Sequence, residues 1–154
     1  MKYQKLSAVV FLAFMFYGVP AMAGWYVRPY AGYTLELGES NSNFGVGAGV
    51  GYQFMDYLAS TEVGYSRIFS DPDTDLLEWS GRVGLPLLPI YGLVGVGLFQ
   101  TDVAGSDWES SYRAGAGFYL PFIPVLRIGA ELSYLNLGGD THLFNPVLTV
   151  GMGF

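Results

Sequence analysis

Between Phe44 and Phe54 every second residue is apolar, and every residue between them is Gly or Gln. Phe44, Val46, Ala48, Val50, Tyr52 and Phe54 alternate with Gly45, Gly47, Gly49, Gly51 and Gln53. Strand side chains project to opposite faces with a period of two, so this segment reads as a strand with one greasy face and one nearly bare face. A water-soluble sandwich would bury the greasy face against a second sheet. A barrel in lipid turns it outward and lines its interior with glycine and polar groups.

The start of the chain decides between these two. Lys2 and Lys5 precede an apolar run from Leu6 to Tyr17, Gly18 and Pro20 break it, and Ala21-Met22-Ala23 supplies small residues at a cleavage site. That order is a secretory leader over 1–23, with the mature chain starting at Gly24. The run is too short to cross a bilayer, which takes about 20 residues. No later stretch is long and apolar enough for a membrane helix. Yet 51 % of the chain is hydrophobic and only 13 % is charged, about half the charged share of an average soluble domain. An exported, apolar chain without a spanning helix is resolved by a closed β-barrel, since a bilayer admits only helices and closed barrels. The absence of cysteine excludes disulfides, thiolate chemistry and lipidation at Cys. Losing Lys2 and Lys5 with the leader leaves only Arg28, Arg67, Arg82, Arg113 and Arg127 against 13 acids. That balance excludes a nucleic-acid partner.

The same alternation recurs in seven further segments: 25–35, 58–68, 78–87, 90–101, 111–121, 125–136 and 143–154. Together they predict an all-β, eight-stranded, antiparallel up-and-down transmembrane barrel over 24–154. Each strand has the length a tilted membrane strand needs. The connections at 55–57, 87–90 and 121–124 are tight, and those at 36–42, 69–77, 102–110 and 137–142 are longer and polar. Short turns on the side of the termini and longer loops opposite are the outer-membrane pattern. Aromatic residues fall into two groups at the strand ends, as interfacial girdles do. Trp25, Tyr52, Phe54, Tyr57, Phe118, Phe122 and Phe154 belong to the terminus side, and Tyr33, Tyr65, Trp79, Tyr112, Tyr134 and Phe144 to the loop side. Pro29 and Pro146 sit inside strands, where proline removes a ladder hydrogen bond, and a bulge is the expected accommodation.

Three stretches resemble one family. Gly24-Trp-Tyr-Val-Arg-Pro-Tyr-Ala-Gly-Tyr33 is similar to the first strand, and Leu126-Arg-Ile-Gly-Ala-Glu-Leu-Ser-Tyr134 to the penultimate strand, of the small eight-stranded Gram-negative outer-membrane barrels of the OmpA/OmpX type. Phe154, with Met152 and Val150 alternating before it, is similar to that family's C-terminal signal for the barrel assembly machinery. The resemblance implies an outer-membrane location, contact with lipid and lipopolysaccharide, and insertion by that machinery. The chain is expected to be a monomer with no cofactor.

Candidate functional residues are few. Arg28, Glu62, Arg82, Arg113, Arg127 and Glu131 point inward by strand parity. An unpaired charge in a narrow lumen is very costly, so they are expected to form an ion-pair network, with Glu62 and Arg82 paired across neighbouring strands. The network is either packing or the gate of a narrow pore. Asp71, Asp73 and Asp75 alternate in the second long loop as oxygen ligands for a divalent cation would, but without the glycine turn and distal glutamate of an EF-hand the better reading is a solvated acidic loop. His142 is read as a solvated loop residue. Some barrels of this size hydrolyse lipid with a His and a Ser two positions later, but here that position is Phe144. The reading is therefore a non-enzymatic barrel that serves envelope integrity or surface contact through acidic loops. A narrow conduit for small solutes or hydrophobic molecules is the alternative, and a lipid-modifying enzyme the remotest reading.

Overall fold

The structure, a computed structural model, describes residues 24–37, 42–55, 59–85, 88–123, 126–139 and 141–153. Eight strands follow one another: β1 (Gly24–Glu36), β2 (Ser42–Met55), β3 (Ala59–Phe69), β4 (Thr74–Gly84), β5 (Ile90–Thr101), β6 (Glu109–Ile123), β7 (Leu126–Asn136) and β8 (His142–Gly153). Each pairs antiparallel with the next, and β8 returns to β1 to close the barrel. The leader with its cleavage site, Tyr57 and Phe154, and the side chain of Phe122, lie outside the described residues.

Strand parity follows the sequence alternation throughout. Val46, Val50, Val63, Val83, Val94, Val96, Leu98, Leu132 and Leu148 all face outward and are exposed, Leu148 to 70 % and Val83 to 68 %. Such a continuous apolar band far exceeds what a soluble monomer leaves in water. It fits a surface that lipid covers. Aromatic pairs flank the band. Trp25 meets Tyr52 edge-on at 5.4 Å, and Tyr52 meets Phe54 at 5.2 Å, on the terminus side. Tyr33, Phe44 and Phe69 form a chain on the loop side, as do Tyr112, Tyr134 and Phe144.

Two expectations need correction. First, β4 begins at Thr74 rather than Glu78, so the loop 69–77 contracts to 70–73. Thr74 to Leu77 pair with both Ile68–Tyr65 and Thr101–Leu98, and the acidic segment is drawn into the sheet by its neighbours on each side. Trp79 therefore stands mid-strand between Val63 and Val96, not in a girdle. Its indole N–H would be an orphan donor in lipid, and it donates to Thr61 Oγ1 at 2.6 Å. Second, Pro29 and Pro146 require no bulge. The β1–β2 ladder runs through Pro29↔Ala48, and the β7–β8 ladder runs through Leu132↔Pro146. The β1–β8 ladder instead steps from Val27↔Met152 to Tyr30↔Thr149, and from Gly32↔Val147 to Leu35↔Phe144. Both prolines thus turn their missing N–H toward gaps in one seam, the place where the sheet closes. The register irregularities fall elsewhere, between Gln53 and Met55 and between Pro121 and Ile123.

The bare face of β2 has a packing purpose. A Cβ on Gly47 would come within 2.5 Å of the Tyr30 ring, one on Gly49 within 2.4 Å of the Glu62 carboxylate, and one on Gly51 within 2.4 Å of the Tyr26 ring. Long side chains from β1 and β3 lie flat across these glycines, so the lumen is filled by side chains, as eight-stranded barrels allow.

Candidate functional site: the charged lumen

The middle of the lumen holds a network of alternating charges. Arg28 forks onto Glu62, with Nε donating to Oε2 at 2.8 Å and Nη2 to Oε1 at 2.7 Å. Its remaining nitrogen, Nη1, donates to Glu131 Oε1 at 3.0 Å. Arg82 donates through Nε to the same Glu131 oxygen at 3.0 Å and through Nη2 to Glu62 Oε1 at 3.3 Å. Arg113 reaches Glu131 Oε2 at 3.3 Å, Glu78 Oε1 at 3.4 Å and the Ser133 hydroxyl at 2.7 Å. The Tyr91 hydroxyl completes the shell of Glu131 at 2.8 Å. Three arginines therefore meet three glutamates, and every one of these six is buried. Charges taken from water are tolerated only when paired and hydrogen-bonded in this way. The bidentate Arg28–Glu62 contact has the geometry that gives guanidinium–carboxylate pairs their strength.

Several of these contacts join strands that are not neighbours: Arg28 to Glu62, Arg28 and Arg82 to Glu131, and Arg113 to Glu78. Glu131 on β7 is held by Arg28 on β1, Arg82 on β4 and Arg113 on β6. Glu62 and Arg82 are in contact as a diagonal pair, because Ser60 lies opposite Arg82 and Glu62 opposite Ser80. The shorter and better aligned partner of Glu62 is nevertheless Arg28. Arg127 stands apart from this network. It donates through Nη1 to Gln53 Oε1 and lies 5.8 Å from the Tyr119 ring centre, near the end of the barrel that carries the termini. Two members escaped the sequence reading. Glu78 opens the strand expected at 78–87, and it shares the inward parity of Arg82 four residues later. Tyr91 is inward by the same rule, since Gly95 and Gly97 on β5 point in.

Above and below the network the lumen changes character. Toward the loops, Ile68, Leu76, Phe99, Leu135, Leu137 and Leu143 form one buried apolar cluster, and Leu135 is wholly inaccessible. Toward the termini lies a water-accessible cavity of about 70 Å³, ringed by Tyr26, Gln53, Ser60, Tyr119, Arg127 and Thr149, with Arg28 and Arg82 at its inner wall. A cavity of that size holds on the order of five waters.

The remaining candidates lie on the outer surface near the loops. Asp73 and Asp75 gather around Arg67 rather than around a shared empty point. Arg67 Nη2 is 3.1 Å from Asp73 and 3.4 Å from Asp102, and its Nε is 3.8 Å from Asp75. Tyr65 donates to Asp75 at 2.6 Å, and Asp71 is exposed. Among the described residues no three carboxylate or imidazole groups converge as a metal ion requires. His142 is not a loop residue. It opens β8 opposite Asn136, and its ring stacks on Tyr134 at 5.7 Å. Asn136 Nδ2 lies 3.0 Å from His142 Nδ1 and the Tyr134 hydroxyl 2.5 Å from it. Phe144, where a serine would stand, faces outward.

No protein-family model matches the chain, and no curated protein matches it in sequence. Solved structures do match its fold. The barrel superimposes on the N-terminal β-barrel domain of Pseudomonas aeruginosa OprF with a TM-score of 0.60 at 18 % identity, covering 86 % of this chain and 100 % of that one. Neisserial surface protein A gives 0.59 at 18 %, covering 87 % and 99 %. A designed transmembrane β-barrel gives 0.55 at 18 %, covering 86 % and 96 %. The fold is thus that of the small eight-stranded transmembrane barrels. That a designed chain shares it shows that this architecture specifies a membrane-spanning body without specifying a task.

Proposed function

We propose that this chain is a non-enzymatic outer-membrane barrel of a Gram-negative envelope, exported by cleavage of the leader after Ala23. It acts as a closed structural body with an acidic outer surface. One observation carries the reading: the lumen is crossed by a fully paired ion network and then capped by an apolar cluster. A conducting path needs continuous water, and both layers would have to part to make one. At the loop end Asp71, Asp102, Asp107 and Glu109 are exposed and Asp73 is half-buried beside Arg67, which supports contact with cationic groups rather than with anions. The apolar band supports residence in lipid as a monomer, because a closed sheet leaves no edge to pair with another copy. Insertion by the barrel assembly machinery through Val150, Met152 and Phe154 belongs to the same proposal. His142 faces a tyrosine and an amide rather than a serine, which supports a body without hydrolytic chemistry.

Planar-bilayer recording of the purified, folded protein tests this. The closed reading expects a silent bilayer at neutral pH. Stable unitary conductance steps would overturn it in favour of the narrow-conduit alternative.

A further inference from the structure

The seam that closes the barrel is bonded less completely than the ladders beside it. Leu37 N–H donates to the His142 carbonyl at 3.0 Å. Backbone groups along a strand turn alternately to its two neighbours, so the N–H groups of Val27, Ala31, Tyr33 and Leu35 also face β8, and so does the ring nitrogen of Pro29. The pair Tyr30↔Thr149 sets Pro29 opposite Val150, and Gly32↔Val147 sets Pro146 opposite Tyr33. At such positions an antiparallel ladder exchanges two N–H···O bonds, and proline removes one of them. Every other ladder runs pair by pair, apart from the shifts beside Gln53 and Pro121 at turn ends.

The two losses do not weigh equally. Between them Tyr30, Ala31 and Gly32 pair with Thr149, Leu148 and Val147. The strands are pressed together there, since a Cβ on Gly32 would collide with the Pro146 carbonyl oxygen and the Val147 Cα. Above this clamp Leu35 and Glu36 pair with Phe144 and Leu143, and Leu37 bonds His142. Below it, among the described residues, Val27↔Met152 is the one pair that faces the seam with both its N–H groups, with Tyr26↔Gly153 beside it. The lower half also backs onto the cavity, which Tyr26 and Arg28 of β1 and Gly151 and Gly153 of β8 help to line. The two glycines put no side chain across the join, and a Cβ on Gly151 would meet nothing closer than the Arg127 Cβ at 3.8 Å. On the outer face Trp25, Pro29 and Met152 are exposed to lipid.

We propose that the wall parts at this place: Tyr26 to Pro29 of β1 separate from Val150 to Gly153 of β8, up to the Gly32 clamp, and open the cavity sideways to the bilayer. Local opening costs what the broken contacts supplied, and this stretch of wall has a missing bond, an open strand end and a hollow behind it. A molecule that uses the doorway comes from lipid past Trp25, Pro29, Val150 and Met152, so it is small and apolar. The opening does not depend on whether the barrel conducts, because it lies on one side of the ion network and the apolar cluster.

The test is amide hydrogen exchange, read residue by residue by NMR on the folded, nitrogen-15-labelled protein in maltoside micelles. The amides of Val27, Val150 and Met152 face the seam, while those of Arg28 and Gly151 face β2 and β7 at the same depth. Ordinary fraying of the strand ends affects both sets alike. Parting predicts that the seam amides exchange roughly fivefold or more faster than these neighbours, the worth of about one hydrogen bond. Pro29→Val restores the missing N–H and keeps an apolar side chain in lipid, so it should remove the difference. Pro146→Val, above the clamp, should leave it in place. The doorway itself is read in vesicles with Gly151→Cys, a single thiol in a chain that has no other. A small apolar maleimide dissolved in the bilayer should label it, and adding Pro29→Val should slow the labelling roughly fivefold. Seam amides as protected as their neighbours would overturn the proposal. So would an excess exchange or a labelling rate that Pro29→Val leaves unchanged, or an effect of Pro146→Val equal to that of Pro29→Val. The wild-type exchange decides even if a variant fails to fold.

Discussion

Toward the loops Ile68, Leu76, Phe99, Leu135, Leu137 and Leu143 close on one another, whereas toward the termini Tyr26, Gln53, Ser60, Tyr119 and Arg127 surround open space. The two ends of one lumen thus solve the same problem by opposite means. An apolar side chain gains about 1.5–3 kcal/mol from full burial and needs no partner, so the loop end can be dry and tightly filled. A guanidinium gains nothing from burial and must find acceptors or water, so the terminus end keeps a cavity. The network between them borders the cavity on one side and the apolar cluster on the other. Its charges pair with one another, each of Arg28, Arg82 and Arg113 touching at least one glutamate at 3.4 Å or less. Closure of this barrel is a property of layers in series, not of a single pair.

The strongest way to break the comparison is to unbalance the middle layer. Glu131 touches three arginines and Tyr91. Glu131→Gln should cost of order 3–5 kcal/mol against urea, read from the heat-modifiable folded band, because three guanidinium groups are left with two carboxylates. Water entering from the cavity would reduce this. Leu135→Ala attacks the apolar layer and should cost roughly 2–5 kcal/mol as a cavity, with no rescue by hydration. Adding glycerol or salt should therefore leave the Leu135→Ala loss unchanged relative to wild type. On the lipid face, Val50→Arg is expected to cost roughly 2–4 kcal/mol and to deplete the folded band during insertion. A double-mutant cycle sharpens the network itself: the Glu62–Arg28 coupling should exceed the Glu62–Arg82 coupling, since only the first pair is bidentate. Equal couplings would contradict that ranking. The smallest effect belongs to the outer surface. Arg67→Gln removes partly exposed pairs with Asp73 and Asp102 and should leave the urea midpoint of the folded band almost unchanged.

Facing was legible in the sequence because it depends on parity alone: once Val46 and Val50 point to lipid, Gly47 and Gly49 cannot. Strand starts were less legible. The acids at Asp73 and Asp75 look like loop, and only the neighbouring strands draw Thr74 to Leu77 into the ladder. The membership of the lumen network followed from parity for Arg28, Glu62, Arg82, Arg113 and Glu131. Its wiring did not. Which inward residues share a height depends on strand stagger around the closed barrel, so contacts such as Arg28 to Glu131 are invisible to neighbour-by-neighbour reasoning. Arg127 shares a face with Glu131 on β7 yet binds Gln53 across the mouth for the same reason. The accommodation of Pro29 and Pro146 in the β1–β8 seam also required knowing where the sheet closes.

The chain contains no cysteine, so a single introduced thiol reports on one place in the lumen. Ser60→Cys puts that thiol on the cavity wall, and Leu135→Cys puts it in the apolar layer. A small, charged, membrane-impermeant thiol reagent added to the folded barrel in micelles should label the Ser60→Cys variant. It should leave the Leu135→Cys variant unmodified until urea unfolds the barrel. Labelling of both variants at the same rate in the folded state would mean that water runs the length of the lumen, and would contradict a barrel closed by layers in series.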